Sequence, residues 1–267
     1  GVQEKELGER LLTLRVAPAY LGGMQHGQQF YRELAAYYDE LFPVDPEAVA
    51  YLRSRATGGR PVLDAACGTG AHVVALEGHG FDAYGIDNSP EMIEIAQGRQ
   101  PSRFERMDMR KVADHHRRPF SLVYSIGNSV THLPMLGDVA GFLSSVHQAL
   151  APKGVAVLQT IDVSDLAPGT VYPLPTLAGK SARLDRAYTV DGSGPDETPE
   201  VRFDAQLYLP GEEEPRELTQ RLMGLSPDKL RLLMEDQGFR NVKMTEGFTE
   251  TAYRSTDSRV AVVTGSK

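Results

Sequence analysis

One run of eleven residues constrains this chain more than any other: Val62-Leu63-Asp64-Ala65-Ala66-Cys67-Gly68-Thr69-Gly70-Ala71-His72. An apolar strand ends here and a helix begins, with two glycines in the turn between them. Gly68 and Gly70 let the backbone bend sharply and let a ligand approach where a Cβ would stand in the way. The first amides of the helix point into the crevice beyond the strand. Taken alone, such a loop serves dinucleotides, phosphates and other adenosyl ligands equally well.

Around the loop, short apolar runs alternate with helical stretches. Phe81–Ile86, Arg103–Arg106, Phe120–Ser125 and Val155–Thr160 read as strands. Ala71–Gly78 and Leu136–Leu150 read as helices, the second closed by Pro152-Lys153-Gly154. Ser89-Pro90-Glu91 opens a further helix: serine caps, proline suits the first helical position, and glutamate complements the dipole. This rhythm predicts an α/β fold, a doubly wound, mostly parallel seven-stranded sheet with right-handed crossovers and helices on both faces. After Asp162 the rhythm breaks. Residues 165–225 contain the strand-like stretches Leu184–Val190 and Arg202–Leu209. Order resumes with a helix at Ser226–Gln237 and strands at Asn241–Thr245 and Ser258–Thr264. Upstream, residues 28–41 and 46–55 read as helices, and Glu4–Val16 as an amphipathic helix ahead of a break at Gly22-Gly23. The expected division is a helical lid over 1–60, a Rossmann-like domain over 61–164 and 226–267, and an inserted β-rich cap over 165–225.

Three acids sharpen the loop's meaning. Asp87 follows Asp64 by 23 residues, and Asp108 follows Asp87 by 21, each at a predicted strand end. A carboxylate at the second strand end can accept from both ribose hydroxyls. One at the third can accept from an adenine amino group. In register, the three fit an adenosine lying across the carboxyl edge of the sheet. Helix capping is the alternative role for any one of them. A nicotinamide-dependent oxidoreductase is the competing class, but its usual G-x-G-x-x-G is absent: Ala66, Gly68 and Gly70 give a G-x-G-x-G form with alanine in first place.

Composition excludes partners rather than naming one. The 267 residues carry 28 Lys and Arg against 36 Asp and Glu, a net charge of −8. That balance argues against nucleic acid and against an anionic membrane surface. Nine acids and two arginines lie between Asp191 and Glu217, so the excess is concentrated in the cap. No apolar run approaches the roughly 20 residues of a membrane span. The lone cysteine, Cys67, rules out an internal disulfide framework, and a small residue fitting a tight loop explains it better than a reactive thiol. The expectation is a cytoplasmic protein acting on a small molecule, with no metal site assigned and homo-oligomerisation left open.

The motifs resemble those of the class I S-adenosylmethionine-dependent methyltransferases. LDAACGTG is similar to the family's first motif, GIDNSPEM to its second and MDMR to its third. The resemblance implies S-adenosylmethionine as cofactor. Asp64, Ala66, Gly68 and Gly70 would line the methionine part, and Asp87 would hold the ribose. Asp108 with its neighbours would frame the adenine. Asn88, Met92, Met107, Met109, Ser125 and Tyr38 complete the expected cofactor set. The run Gly127-Asn128-Ser129-Val130-Thr131-His132-Leu133 resembles the GNS-x-x-HL signature of glycine and sarcosine N-methyltransferases. FYRELAAYYDELFP, upstream, resembles that group and the amino-sugar N-methyltransferases. The resemblance implies N-methylation of an amine or amino acid, with Asn128 lining the substrate site and Tyr38, or Tyr37, closing over the cofactor. His132 is the nearest candidate base, and capping or packing is its alternative role. Small-molecule O-methylation and a cofactor-binding module without turnover stay open. One departure stands out. Ile161 takes the place at which the glycine enzymes carry a carboxylate-binding arginine, which counts against glycine as the substrate; Arg183, Arg186 or Arg202 of the cap could supply that charge from elsewhere, with a solvated surface role as their alternative.

Overall fold

Central strands of a parallel sheet are covered on both faces, so they read as unbroken apolar runs. β1 (Val62–Ala65) and β4 (Phe120–Ser125) are buried at every position. A computed structural model describes residues 29–267, apart from Gly58 and Asp257. The stretches expected at Glu4–Val16 and Gly22-Gly23 lie outside the described residues. β2 (Ala83–Asp87), β3 (Phe104–Arg106) and β5 (Leu150–Ile161) run parallel to β1 and β4. β10 (Arg240–Glu246) and β11 (Val260–Ser266) complete a seven-stranded sheet of order β10-β11-β5-β4-β1-β2-β3, in which β11 is antiparallel to both neighbours. The order reverses between β1 and β4, and the crevice outside the carboxyl ends of these strands is the place such sheets offer a ligand.

Helices cover both faces. α1 (Pro46–Arg55), α2 (Ala71–Gly78) and α3 (Pro90–Arg99) bury Val49, Leu52, Val73, Leu76 and Ile93 in one core. α4 (Leu136–Ala149) and α5 (Pro227–Asp236) bury Val139, Phe142, Val146, Leu230 and Met234 in the other. The caps follow the sequence. Ser89 Oγ accepts from Met92 N at 3.3 Å, and Ser226 Oγ accepts from Lys229 N at 3.2 Å. The turn predicted at Pro152-Lys153-Gly154 lies within β5 instead. Lys153 takes a left-handed φ of 66°, and the pairing with β4 shifts register there, so the ladder absorbs the turn as an irregularity.

The cap is a four-stranded antiparallel meander of β6 (Val171–Ala178), β7 (Arg183–Ser193), β8 (Pro199–Tyr208) and β9 (Arg216–Met223). β8 alternates cleanly, burying Val201, Phe203, Ala205 and Leu207. The segment expected as one lid divides in two. α1 packs on the main sheet, whereas residues 29–41 turn Phe30, Leu34 and Leu41 into the cap's core with Leu184, Phe203, Leu207 and Leu218. These residues are helical, with a 3-10 turn at Ala35–Tyr37. Their polar side chains reach both ways. Glu40 accepts from the backbone N–H of Lys180 and Ser181 at 2.9 and 3.1 Å, and Arg216 pairs with Glu33 at 2.7 Å. Toward the main domain, Thr69 donates to Asp39 at 2.5 Å, Arg99 also pairs with Asp39, and Arg32 pairs with Glu91 at 3.1 Å. No helix among the described residues is long and apolar enough to cross a membrane.

Candidate active site

The glycine loop closes on itself through Gly70 N–H, which donates to Cys67 O at 2.9 Å. Gly68 and Gly70 have φ of 53° and 81°, and a Cβ on Gly70 would lie 2.5 Å from Phe104 Cε1. Ala66 is held at φ 150°, a region that favours glycine. Ala66→Gly is therefore expected to stabilise the protein by about 1 kcal/mol, strain relief outweighing the greater freedom of glycine in the unfolded chain. A urea midpoint that does not rise would contradict this. Cys67 is buried against Gly85, where a Cβ would sit 2.7 Å from the cysteine Cβ. Burial pushes the thiol well up, so Cys67 acts as a small packing residue rather than a thiolate.

Asp87 ties the loop to the end of β2. Its Oδ2 accepts from Gly68 N at 2.9 Å and its Oδ1 from Ser89 N at 2.8 Å. Burial lifts its carboxyl above the usual range, against the pull of these donors. Asp64 is 2% exposed, and its Oδ1 has no hydrogen-bond partner among the described residues. Burial lifts it well above the usual carboxylate range. Ser125 Oγ is likewise buried without a partner. Asp108 caps the 3-10 turn Met109–Asp114, accepting from Arg110 N at 2.9 Å, and its carboxylate holds the Arg110 guanidinium. Burial would raise that carboxyl, but the bonds from Arg110 outweigh it and hold it low. Around these acids, Asn88 is exposed and its carbonyl accepts from Arg106 at 3.2 Å. Met92 is buried, Met107 N donates to Asp87 O at 3.0 Å, and Met107 and Met109 pack against the main core.

Asn128 stands after β4 in a left-handed conformation, φ 65°. Its side chain is buried and engaged on both sides. Oδ1 accepts from Ile161 N at 3.0 Å, and Nδ2 donates to the Tyr188 hydroxyl of the cap at 3.4 Å. A small cleft runs between Asn128, Ile161, Val163, Tyr188, Leu222 and Met223. Four residues on, His132 Nε2 lies 3.0 Å from the Tyr31 hydroxyl of the lid. Burial pushes His132 down to about 4 and Tyr31 well above 10. The neighbouring Tyr38, Asp87 and Tyr188 add to that rise at Tyr31. Tyr38 covers the glycine loop, its ring 3.5 Å from where a Gly68 Cβ would be, and it stacks on Phe42 at 4.8 Å. Of the cap arginines, Arg183 pairs with Asp185 at 3.2 Å, and Arg202 pairs with Asp191 and Asp204 at 3.1 and 2.8 Å. Tyr31 and Tyr188 were not singled out from the sequence. Tyr31 lies seven residues before Tyr38, about two helical turns, and that spacing was its signal.

His115 behaves like His132. It is 2% exposed, and burial, with His116 and Arg117 nearby, lowers it to about 4. An unfolded histidine titrates near 6.5, so below that pH the unfolded chain takes up protons first. Stability should then fall as pH drops from about 6.5 toward 4, by up to about 1.4 kcal/mol per unit for each such histidine. His115→Gln is expected to flatten the decline of the urea midpoint between pH 7 and 5. An unaltered slope would show that His115 is not held neutral.

Residues 62–154 match the protein family described as a methyltransferase domain. The chain carries a methyltransferase domain. The glycine/sarcosine N-methyltransferase of Aphanothece halophytica is 27% identical over 74% of this chain and 72% of its own length. The dTDP-3-amino-3,4,6-trideoxy-alpha-D-glucopyranose N,N-dimethyltransferase of Streptomyces venezuelae is 32% identical over 40% of this chain and 45% of its own. Among solved structures, the CcbJ methyltransferase of Streptomyces caelestis superposes with a TM-score of 0.74 at 21% identity, over 88% of this chain and 97% of CcbJ. The chain thus shares the overall fold of solved S-adenosylmethionine-dependent methyltransferases.

Proposed function

We propose that this methyltransferase transfers the methyl group of S-adenosylmethionine to a nitrogen of a small molecule held beneath the cap. The observation that carries the choice of nitrogen is the buried, uncharged Tyr31–His132 pair at the end of the fourth strand. A hydroxyl acceptor needs a base strong enough to take its proton, and an imidazole lowered to about 4 is far too weak. An amine needs only to arrive, or become, unprotonated. At pH 7 an alkyl amine of pKa about 10.4 is neutral roughly once in 2,500 molecules, a cost of about 4.6 kcal/mol. A site lined by uncharged groups lowers that cost by disfavouring the ammonium form.

The residues present fit the cofactor. Asp64 Oδ1, buried and unpartnered, is an acceptor in want of a cationic donor, and the ammonium of the methionine part is one. Gly68 and Gly70 leave room for close approach of the ligand. Asp87 would hold the ribose, and Asp108 with Met107 and Met109 would frame the adenine. Bound there, S-adenosylmethionine supplies a methyl already activated on a sulfonium. The remaining task is alignment, which contributes up to about 7–11 kcal/mol when the reacting atoms are near attack. Tyr38 and residues 29–41 cover the cofactor edge and exclude water. Asn128 fixes the β4 loop to β5 and to Tyr188, which sets the acceptor's distance from the methyl. Tyr31 and His132 offer the amine a neutral hydrogen-bonding partner.

Incubation with an isotopically labelled methyl donor and a panel of amino acids, amino sugars and phenols tests the reading. Label is expected on amines. Label confined to hydroxyls would end it.

A further inference from the structure

Five arginines belong to the cap, and four of them have a carboxylate partner. Arg183 and Arg202 are paired as described above. Arg216 holds Glu212 and Glu33, and Arg221 holds Glu200. Arg186 has no carboxylate within ion-pair distance among the described residues. Its Nε donates to Pro175 O at 3.2 Å, and its terminal NH2 groups make no hydrogen bond to the described residues. It nevertheless belongs to the inward row of β7, because side chains alternate along a strand and its neighbours Leu184 and Tyr188 are buried. Its guanidinium lies 5.6 Å from the Phe42 ring centroid, Phe42 stacks on Tyr38, and Tyr38 covers the glycine loop. On the other side Tyr188 touches Asn128. Arg186 thus stands between the roof of the cofactor loop and the cleft beside Asn128 and Ile161. A half-buried guanidinium without a counter-ion is costly to hold, and burial already pushes it down from its ordinary value. No residue lining the cleft carries charge: beside Asn128 and Tyr188 its walls are Ile161, Val163, Val201, Leu222 and Met223, so Arg186, two residues from Tyr188 on β7, is the nearest cation of that strand's inward row.

We infer that Arg186 anchors the acceptor by an anionic group, a carboxylate or phosphate received by the N–H edge of its planar guanidinium. This rests on the N-methylation reading above and adds to it a substrate class, amines that carry a negative charge. The planar fork suits bidentate oxygen pairs, which a lysine matches only as a point charge. The anchor also explains how a site with isoleucine at 161 can still recognise an anion: the cation comes from the cap instead of from the strand end.

The test is calorimetry on the full chain saturated with S-adenosylhomocysteine, titrated with sarcosine, sarcosinamide and inorganic pyrophosphate. Sarcosine or pyrophosphate is expected to bind the wild type. Arg186→Gln should weaken that anion at least about tenfold, Arg186→Lys should recover part of the loss, and sarcosinamide should be indifferent to both. S-adenosylhomocysteine affinity and the thermal midpoint should stay the same in all three proteins, which separates an anchor from a structural role. The anion that responds distinguishes a carboxylate from a phosphate acceptor. If neither anion binds the wild type, or if Arg186→Gln leaves both affinities unchanged, the inference is wrong. Failure of the parent reading looks different: the anion discrimination persists, while labelled methyl reaches no amine.

Discussion

Asp87→Ala should weaken S-adenosylmethionine binding by about 1.5–3 kcal/mol, roughly tenfold to a hundredfold in Kd by calorimetry. Two losses add. The carboxylate proposed to receive the ribose hydroxyls is gone, and so are the bonds that hold Gly68 N and Ser89 N at 2.9 and 2.8 Å. The second loss matters because these bonds set the shape of the glycine loop and the start of α3 before any ligand arrives. Asp87→Asn separates the two. It keeps one acceptor oxygen but turns an amide NH2 toward one of the two backbone donors, so its affinity should fall between wild type and alanine. An alanine variant with unaltered affinity would remove Asp87 from the cofactor site.

Gly70→Ala should cost the fold about 2–5 kcal/mol in urea denaturation and abolish cofactor binding at ordinary ligand concentrations. A left-handed φ of 81° strains any Cβ-bearing residue, and this Cβ would meet the Phe104 ring at 2.5 Å. Phe104 is the buried start of β3, so it has little freedom to move aside. Phe104→Leu in the same chain should recover the packing part of the cost and leave the backbone part. Gly68→Ala is the control. It shares a positive φ, but its Cβ would find Tyr38 at an ordinary 3.5 Å, so it should be distinctly milder. Equal costs at the two positions would show that Phe104 is not the obstacle.

The doubly wound sheet was legible because its signals are local. Apolar runs end at Asp64 and Asp87, and Ser89-Pro90 opens a helix where its side chains can cap it. The cap was half legible. β7 and β8 carry apolar alternation, whereas β6 holds Pro173 and Pro175 at a sheet edge and β9 interleaves its buried Leu218 and Leu222 with charge. Neither of those makes an apolar run. The partnerships that shape the site were hidden for a different reason. Tyr31 meets His132 across 101 residues, and Asn128 meets Tyr188 across 60. Such pairs come from the packing of residues 29–41 and of the cap on the main domain, and no spacing along the chain records them. His132 illustrates the consequence: sequence suggests a base with an ordinary pKa, whereas its burial against Tyr31 lowers it, which supports the neutral partner proposed above.

Residues 29–41 behave as a crossbeam. One end of their polar side chains is fastened to the cap through Glu33 and Glu40, the other to the cofactor domain through Arg32 and Asp39. The same short segment puts Tyr38 over the glycine loop and Tyr31 beside His132. The glycine loop and the surroundings of His132 therefore share one ceiling. On the function proposed above, departure of the spent donor and departure of the methylated product are expected to share one gating event, governed by the contacts of those four side chains.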